Sequence, residues 1–254
     1  MSLISMPAAN DNSDTFKHPN GELLLGNCIK RLQAIPNGTF DFLLTDPPYG
    51  VNYKDRLDRS LLGDNDLGWL QPAFEEIYRV LRPNSFAISF YGYGDADVFL
   101  STWKQVGFRI VGHFTFEKHY ASNRNRDGAY TLRKHECAYL LAKGRPAPPT
   151  EPLPDVLPWG EYTGNRLHPT QKPVEPLRTL IRAYAGHGHV LEPFYGSGST
   201  AVAAIAEGCR FTAIDLDPEH FATARERLMA IPGNRPKPTH KLQSVPMPVL
   251  RSQA

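Results

Sequence analysis

Cysteine is scarce in this chain of 254 residues: Cys28, Cys137 and Cys209 are an odd number, with no C-x-x-C pair and no histidine at metal-ligand spacing. A disulfide-stapled miniprotein is excluded, no metal is expected, and a reducing, cytoplasmic setting is. Long apolar runs are absent too. No stretch approaches the roughly 18 consecutive apolar residues of a membrane helix, and the first basic residue is Lys17, so the charged start and apolar centre of a secretory signal are missing. Charge of one sign is not in excess, because 28 basic residues face 26 acidic ones and the net +2 does not by itself announce nucleic acid. What remains is 41% hydrophobic and 21% charged, too apolar for wholesale disorder and ordinary for a globular enzyme.

Short apolar segments alternate with amphipathic ones, the signature of an α/β fold with a mainly parallel sheet and helices on both faces. Strands are expected at Glu22 to Leu25, Phe40 to Thr45, Ser85 to Tyr91, Arg109 to Phe116, Cys137 to Ala142, His189 to Phe194 and Phe211 to Leu216. Leu70, Phe74, Ile77, Tyr78 and Leu81 form one helical stripe, and Val174, Leu177, Leu180, Ile181 and Tyr184 another. Residues 1–18, rich in Ser, Asn, Asp and Pro, read as a flexible arm. Residues 231–254, with five prolines, four basic residues and no acid, read as a tail that is either idle or laid along a polyanion. Six prolines between Gly144 and Pro158 make that segment a stiff connection, neither helix nor central strand.

Two loops carry chemistry. After the strand ending at Phe194, Tyr195-Gly196-Ser197-Gly198-Ser199-Thr200 is a tight turn into a helix, followed by a strand that ends at Asp215 and Asp217. Glycines let the backbone approach a ligand, and an acid at the end of the next strand accepts hydrogen bonds from ribose hydroxyls, which describes a nucleoside-cofactor site. No lysine follows to clamp a terminal phosphate, which argues against an ATPase. G-x-G-x-x-A also suits a dinucleotide fold, and a plain structural strand-turn-helix shows the same pattern.

The second loop is Thr45-Asp46-Pro47-Pro48-Tyr49-Gly50. Two prolines fix φ and remove two amide donors, leaving a rigid loop that presents carbonyls. The Asp46 carboxylate and the Pro47 carbonyl can each accept one hydrogen of a planar amino group while the Tyr49 ring stacks on the base that bears it. An exocyclic amino nitrogen is a poor nucleophile because its lone pair is delocalised. Two acceptors that draw it toward tetrahedral geometry free that lone pair to attack a methyl group in line. A proline-stiffened turn with a surface tyrosine is the plain alternative for D-P-P taken in isolation.

Taken together the motifs resemble those of the amino-methylating DNA methyltransferases, which use S-adenosylmethionine to methylate adenine N6 or cytosine N4. Asp46-Pro47-Pro48-Tyr49 is similar to the family's catalytic motif. Glu192-Pro193-Phe194-Tyr195-Gly196-Ser197-Gly198, continuing through Ser199 and Thr200, resembles its cofactor loop, and Asp215 its ribose-binding acid. His168-Pro169-Thr170-Gln171-Lys172-Pro173 resembles the segment that lies against the methionine part of the cofactor. The catalytic motif precedes the cofactor motif, as in the permuted β class, and this implies a Rossmann-like methyltransferase fold. The resemblance implies Asp46, Pro47, Pro48 and Tyr49 as catalytic. It implies Asn27, Asp46, His168, Thr170, Gln171, Lys172, Glu192, Phe194, Gly196, Ser197, Gly198, Ser199, Thr200 and Asp215 as cofactor-binding. Two positions depart from the family: Asn27 stands where an aspartate is common, and Asp215 where glutamate is. D-P-P-Y accompanies adenine more often than cytosine in the family, so adenine N6 is preferred, with cytosine N4 the alternative. A catalytically silent DNA-binding regulator and an NAD-dependent oxidoreductase are rivals from other classes. No cysteine follows a proline, which speaks against cytosine-C5 chemistry.

Residues 118 to 145 hold seven basic residues (Lys118, Arg124, Arg126, Arg133, Lys134, Lys143 and Arg145) against two acids. By composition alone this is a solvated loop, but it lies between the two motif-bearing halves, where the family places target recognition. The organisation expected is therefore a catalytic half (19–118), a target-recognition insert (119–167) and a cofactor half (168–230). Double-stranded DNA is the partner, contacted by Lys118, Arg124, Arg126, Arg133 and Lys134, with Arg56 and Arg59 either holding the distorted strand or serving as plain surface charges. The insert is short, so a short target sequence or a second copy of the chain sharing recognition is expected. The target atom lies inside the duplex, so the base must be flipped out.

Overall fold

The computed structural model describes residues 14–49, 67–122, 130–160 and 171–231. Nine strands form one sheet: β1 Thr15–His18, β2 Gly21–Leu25, β3 Phe40–Thr45, β4 Leu81–Phe90, β5 Arg109–Glu117, β6 His135–Lys143, β7 Val156–Pro158, β8 His189–Glu192 and β9 Arg210–Asp215. Their order across the sheet is β1-β2-β9-β8-β3-β4-β6-β5-β7. The five strands from β2 to β4 run parallel, and β6 enters antiparallel between β4 and β5.

Helices α1 Cys28–Gln33, α2 Leu70–Val80 and α3 Ala96–Val106 cover one face; α4 Val174–Tyr184, α5 Ser199–Ala206 and α6 Pro218–Met229 cover the other. Burial on both faces is why the central strands read as continuous apolar runs. Val190 faces α4 and α5 while Leu191 faces the opposite layer, and Leu44 and Leu43 divide in the same way. The helix starts follow local chemistry. Asn27 caps α1 by accepting from the Ile29 and Lys30 amides at 3.0 and 3.2 Å, and Asp217 caps α6 by accepting from Glu219 N at 2.8 Å, with Pro218 at the first helical position.

All seven expected strands are present, and the structure adds two. Thr15–His18, expected within the flexible arm, pairs antiparallel with β2, because Phe16 packs on the core beside it. Val156–Pro158 lies parallel to β5 at the sheet edge, where the ladder tolerates a proline. Within the stretch 119–167, expected to serve target recognition, Ala138, Leu140, Leu141 and Ala142 are buried in strand β6, which lies inside the sheet between β4 and β5.

Candidate active site

β3 and β8 are hydrogen-bonded neighbours although about 150 residues separate them in the chain, with Leu43 opposite Leu191. From β8 the chain crosses through α5 to β9 on one side; from β3 it crosses through α2 to β4 on the other. Their carboxyl ends therefore flank a topological switch point, where open α/β sheets bind ligands. The proline loop leaves β3 there and the glycine loop leaves β8. Thr45 Oγ1 donates to Glu192 Oε1 at 2.7 Å, tying the two strand ends together.

Asp46 has a partner on each carboxylate oxygen: the Tyr49 hydroxyl donates to Oδ1 and the Lys172 ammonium to Oδ2. Tyr49 is half-buried, edge-on to Phe99, and fits because Gly92 has no side chain. A Cβ there would come within 2.9 Å of Tyr49 Cβ. The Lys172 ammonium lies 5.1 Å from the centre of the Phe90 ring and 6.0 Å from that of Tyr49. Burial acts to lower the Lys172 ammonium, but Asp46, Glu136 and Glu192 outweigh it and hold it above the ordinary lysine range.

Glu192 is 3% exposed and is met by three donors: the Thr45 hydroxyl, the Phe194 amide at 3.0 Å and the Thr200 hydroxyl at 3.0 Å. Burial pushes its carboxyl up to about 8, the Asp46 charge adds to the rise, and the three hydrogen bonds oppose it. The folded chain thus keeps a proton that the unfolded chain releases, so stability falls as pH climbs from about 4.5 to about 8. Glu192→Gln is expected to flatten that decline by roughly a few kcal/mol at most, read as urea midpoints at about pH 5 and about pH 8.5. An unchanged difference between the two pH values would refute the assignment.

In the glycine loop, Gly196 and Gly198 have φ of 51° and 77°, and a Cβ at Gly198 would press to 3.1 Å on Ala224 of α6. Asp215, at the end of β9, accepts from Gly196 N at 2.8 Å, from Asp217 N at 3.0 Å and from His220 Nδ1 at 3.1 Å. Burial opposes a charge on His220, but the bond to Asp215 and the neighbouring acids raise it above the usual histidine range.

The structure sorts the expected cofactor residues into two groups. Asn27, Asp215, Phe194 and the Gly196 backbone gather at the ends of β2, β9 and β8, with the Asn27 carbonyl oxygen already used as a helix cap. Ser197, Ser199, Thr200 and Glu192 are at most 6% exposed and bonded within the protein, so they shape the loop. His168 and Thr170 lie outside the described residues, as do Arg56, Arg59, Arg124 and Arg126. Lys118 is a correction to the expected DNA contacts. It is 3% exposed, its head pairs with Glu136 and it sits 5.5 Å from the Trp159 ring, so the side chain packs into the core. Lys143 ends β6, and Arg145 follows it, at the end of the strand opposite the carboxyl ends of β3 and β4, roughly 30 Å by strand rise from Lys134. Arg133 and Lys134 are exposed at the catalytic end.

Other contributors carry no sequence signal of their own. Trp69 packs on Phe194 with ring centres 5.0 Å apart, and Arg227 of α6 donates to the Ser197 carbonyl at 3.0 Å and to Ser199 Oγ at 3.1 Å. Of the cysteines, Cys209 is buried and Cys28 and Cys137 are partly so. A groove of about 600 Å³ lies at the β5 edge beneath the proline-rich segment, lined by Phe114, Leu140, Pro148 and Tyr184 among others, and not at the β3–β8 junction. Among the described residues no helix is long and apolar enough to cross a membrane.

A doubly wound α/β sheet whose switch point joins an acid-bearing proline loop to a glycine loop defines a Rossmann-like, methyltransferase-type protein. A family model described as DNA methylase, N6_N4_Mtase, matches residues 40–158 and 152–226. YubD of Escherichia coli strain K12, a protein that carries the name methylase, is 47% identical over 207 residues, spanning 81% of this chain and 89% of YubD. The DNA adenine methyltransferase YhdJ of the same strain is 26% identical over 243 residues, spanning 81% and 82%. The M1.HpyAVI-SAM complex shares the fold with a TM-score of 0.66 at 20% identity, over 82% of this chain and 98% of that one. The chain belongs to the N6_N4_Mtase family of DNA methylases, the adenine-N6 and cytosine-N4 amino-methyltransferases.

Proposed function

We propose that the protein methylates the N6 amino group of adenine in double-stranded DNA, with S-adenosylmethionine as donor. The observation that supports this is the junction of β3 and β8, where Thr45, next to Asp46, is bonded to Glu192, just before the loop that holds Gly196 and Gly198. The donor set suits a nucleoside cofactor: a carboxylate for ribose hydroxyls at Asp215, an amide donor at Asn27, an aromatic ring at Phe194 and a glycine backbone open to close approach. When bound, S-adenosylmethionine supplies a methyl group on a sulfonium centre. Asp46 and the Pro47 carbonyl accept the two amino hydrogens, Tyr49 stacks on the flipped base, and the solvent-facing Arg133 and Lys134 contact phosphates.

Adenine is favoured by the aspartate of the D-P-P-Y loop and by the likeness to YhdJ, which is named a DNA adenine methyltransferase. Mass spectrometry of nucleosides from duplex DNA treated with protein and cofactor is expected to find N6-methyladenine. N4-methylcytosine without N6-methyladenine would overturn the choice of base. Cofactor binding with no transfer to any duplex would leave a silent DNA-binding protein.

A further inference from the structure

Lys172 belongs to the segment that the motif resemblance lays against the methionine end of the cofactor. Its ammonium is engaged elsewhere. It is bonded to Asp46 Oδ2, its side chain is 11% exposed, and it is flanked by the Phe90 and Tyr49 rings. Its backbone is fixed from the other direction: Ser199 Oγ donates to the Lys172 carbonyl at 2.8 Å, and Arg227 Nη1 donates to Ser199 Oγ and to the Ser197 carbonyl. A continuous set of hydrogen bonds thus runs from α6, through the start of α5 in the cofactor loop, to the carboxylate of the proline loop.

A carboxylate can draw on an amino group only as an acceptor. Among the described residues, the charged and titratable groups around this point are Glu192 from β8, Glu136 from β6 with its partner Lys118, Tyr49 on the proline loop and Lys172 itself. Lys172 is the cation bonded to Asp46. The pair it forms with Asp46 is neutral as a unit, so its charge does not oppose a positively charged sulfonium donor nearby.

We propose that Lys172 is a positioning residue for Asp46, holding it as an oriented acceptor, and that the Ser199–Arg227 contacts set Lys172 relative to the cofactor loop. This rests on the methyl-transfer function proposed above, and it differs from a cofactor-binding role for the same side chain. Lys172→Met is expected to lower kcat at saturating cofactor by on the order of a hundredfold while changing cofactor affinity, measured by calorimetry, by less than about threefold. Lys172→Arg, which keeps a cation beside Asp46, should restore most of the turnover.

A kcat within about threefold of wild type, or a defect unrelieved by arginine, overturns the proposal. A loss confined to cofactor affinity does the same and returns Lys172 to the cofactor site. Lys172→Gln serves as the second uncharged variant should the methionine variant not fold. The pairing itself is read without catalysis from the side-chain ammonium resonance of Lys172 by ¹⁵N NMR. It should be protected from exchange in the wild type and lose that protection in Asp46→Asn; equal exchange in the two overturns the pairing. Wild-type protein that transfers no methyl group to DNA would refute the assigned function, a result distinct from any of these.

Discussion

Asp46→Ala is expected to cut turnover by about a hundredfold or more while leaving cofactor affinity within a few-fold of wild type. In the proposed reaction Asp46 supplies one of the two acceptors that act on the amino group, and the Pro47 carbonyl alone cannot draw both hydrogens out of the ring plane. The carboxylate also holds the Tyr49 hydroxyl, so the variant loosens the ring that stacks on the base. Removing it leaves the Lys172 ammonium, 11% exposed, without its ion-pair partner. Some stability is therefore lost, on the order of 1–3 kcal/mol, which lowers the melting temperature by several degrees without unfolding the chain. Asp46→Asn separates the two effects, since it keeps the shape and one acceptor oxygen but removes the charge. Single-turnover transfer to duplex DNA, with cofactor affinity measured in parallel, is the deciding pair of measurements. Turnover near that of wild type in the alanine variant would remove Asp46 from the chemistry.

The sequence made the strands legible because each central one is buried on both faces and reads as an unbroken apolar run between turn residues, as Phe40 to Thr45 and His189 to Glu192 do. Thr15–His18 was hidden because a four-residue edge strand, with Lys17 and His18 in it, has too few apolar positions to show a period. The proline-rich segment concealed β7 for the opposite reason: proline argues against a strand, except at an edge where its missing donor would face no partner.

At the site, motif spacing placed Asp46, Glu192, Gly196 and Asp215 at strand ends but could not say which side chains turn inward. Serine and threonine at 197, 199 and 200 look like ligand donors in a motif, and in three dimensions they satisfy Glu192, the Lys172 carbonyl and one another's loop. Charge counting failed in the same way for residues 118 to 145, because β6 carries its two ends to opposite ends of the sheet's strands and a core position removes Lys118 from solvent. Gly92, Trp69 and Arg227 left no trace in the sequence, since each matters through a contact with a residue far away in the chain.

Asp215→Ala tests whether the cofactor half works as assigned, and it is expected to weaken S-adenosylmethionine binding by about 1–3 kcal/mol, or roughly 5- to 150-fold. Two causes contribute. Charge-assisted hydrogen bonds to the ribose hydroxyls are lost, and so is the anchor that holds the Gly196 amide at 2.8 Å and the Asp217 amide at 3.0 Å. Asp215→Glu distinguishes them. The longer side chain, commoner at this position in the family, still reaches a ribose but moves its oxygens by about one carbon–carbon bond from the Gly196 amide. If ribose bonding dominates, the glutamate variant binds almost as well as wild type; if loop anchoring dominates, it binds as poorly as the alanine variant. Adenosine, which has the ribose but not the methionine, should lose affinity in Asp215→Ala by a factor similar to that for the whole cofactor. Calorimetric titration of both ligands against the three proteins measures this, and unchanged affinity in Asp215→Ala would transfer the ribose contact to Asp217 or another group.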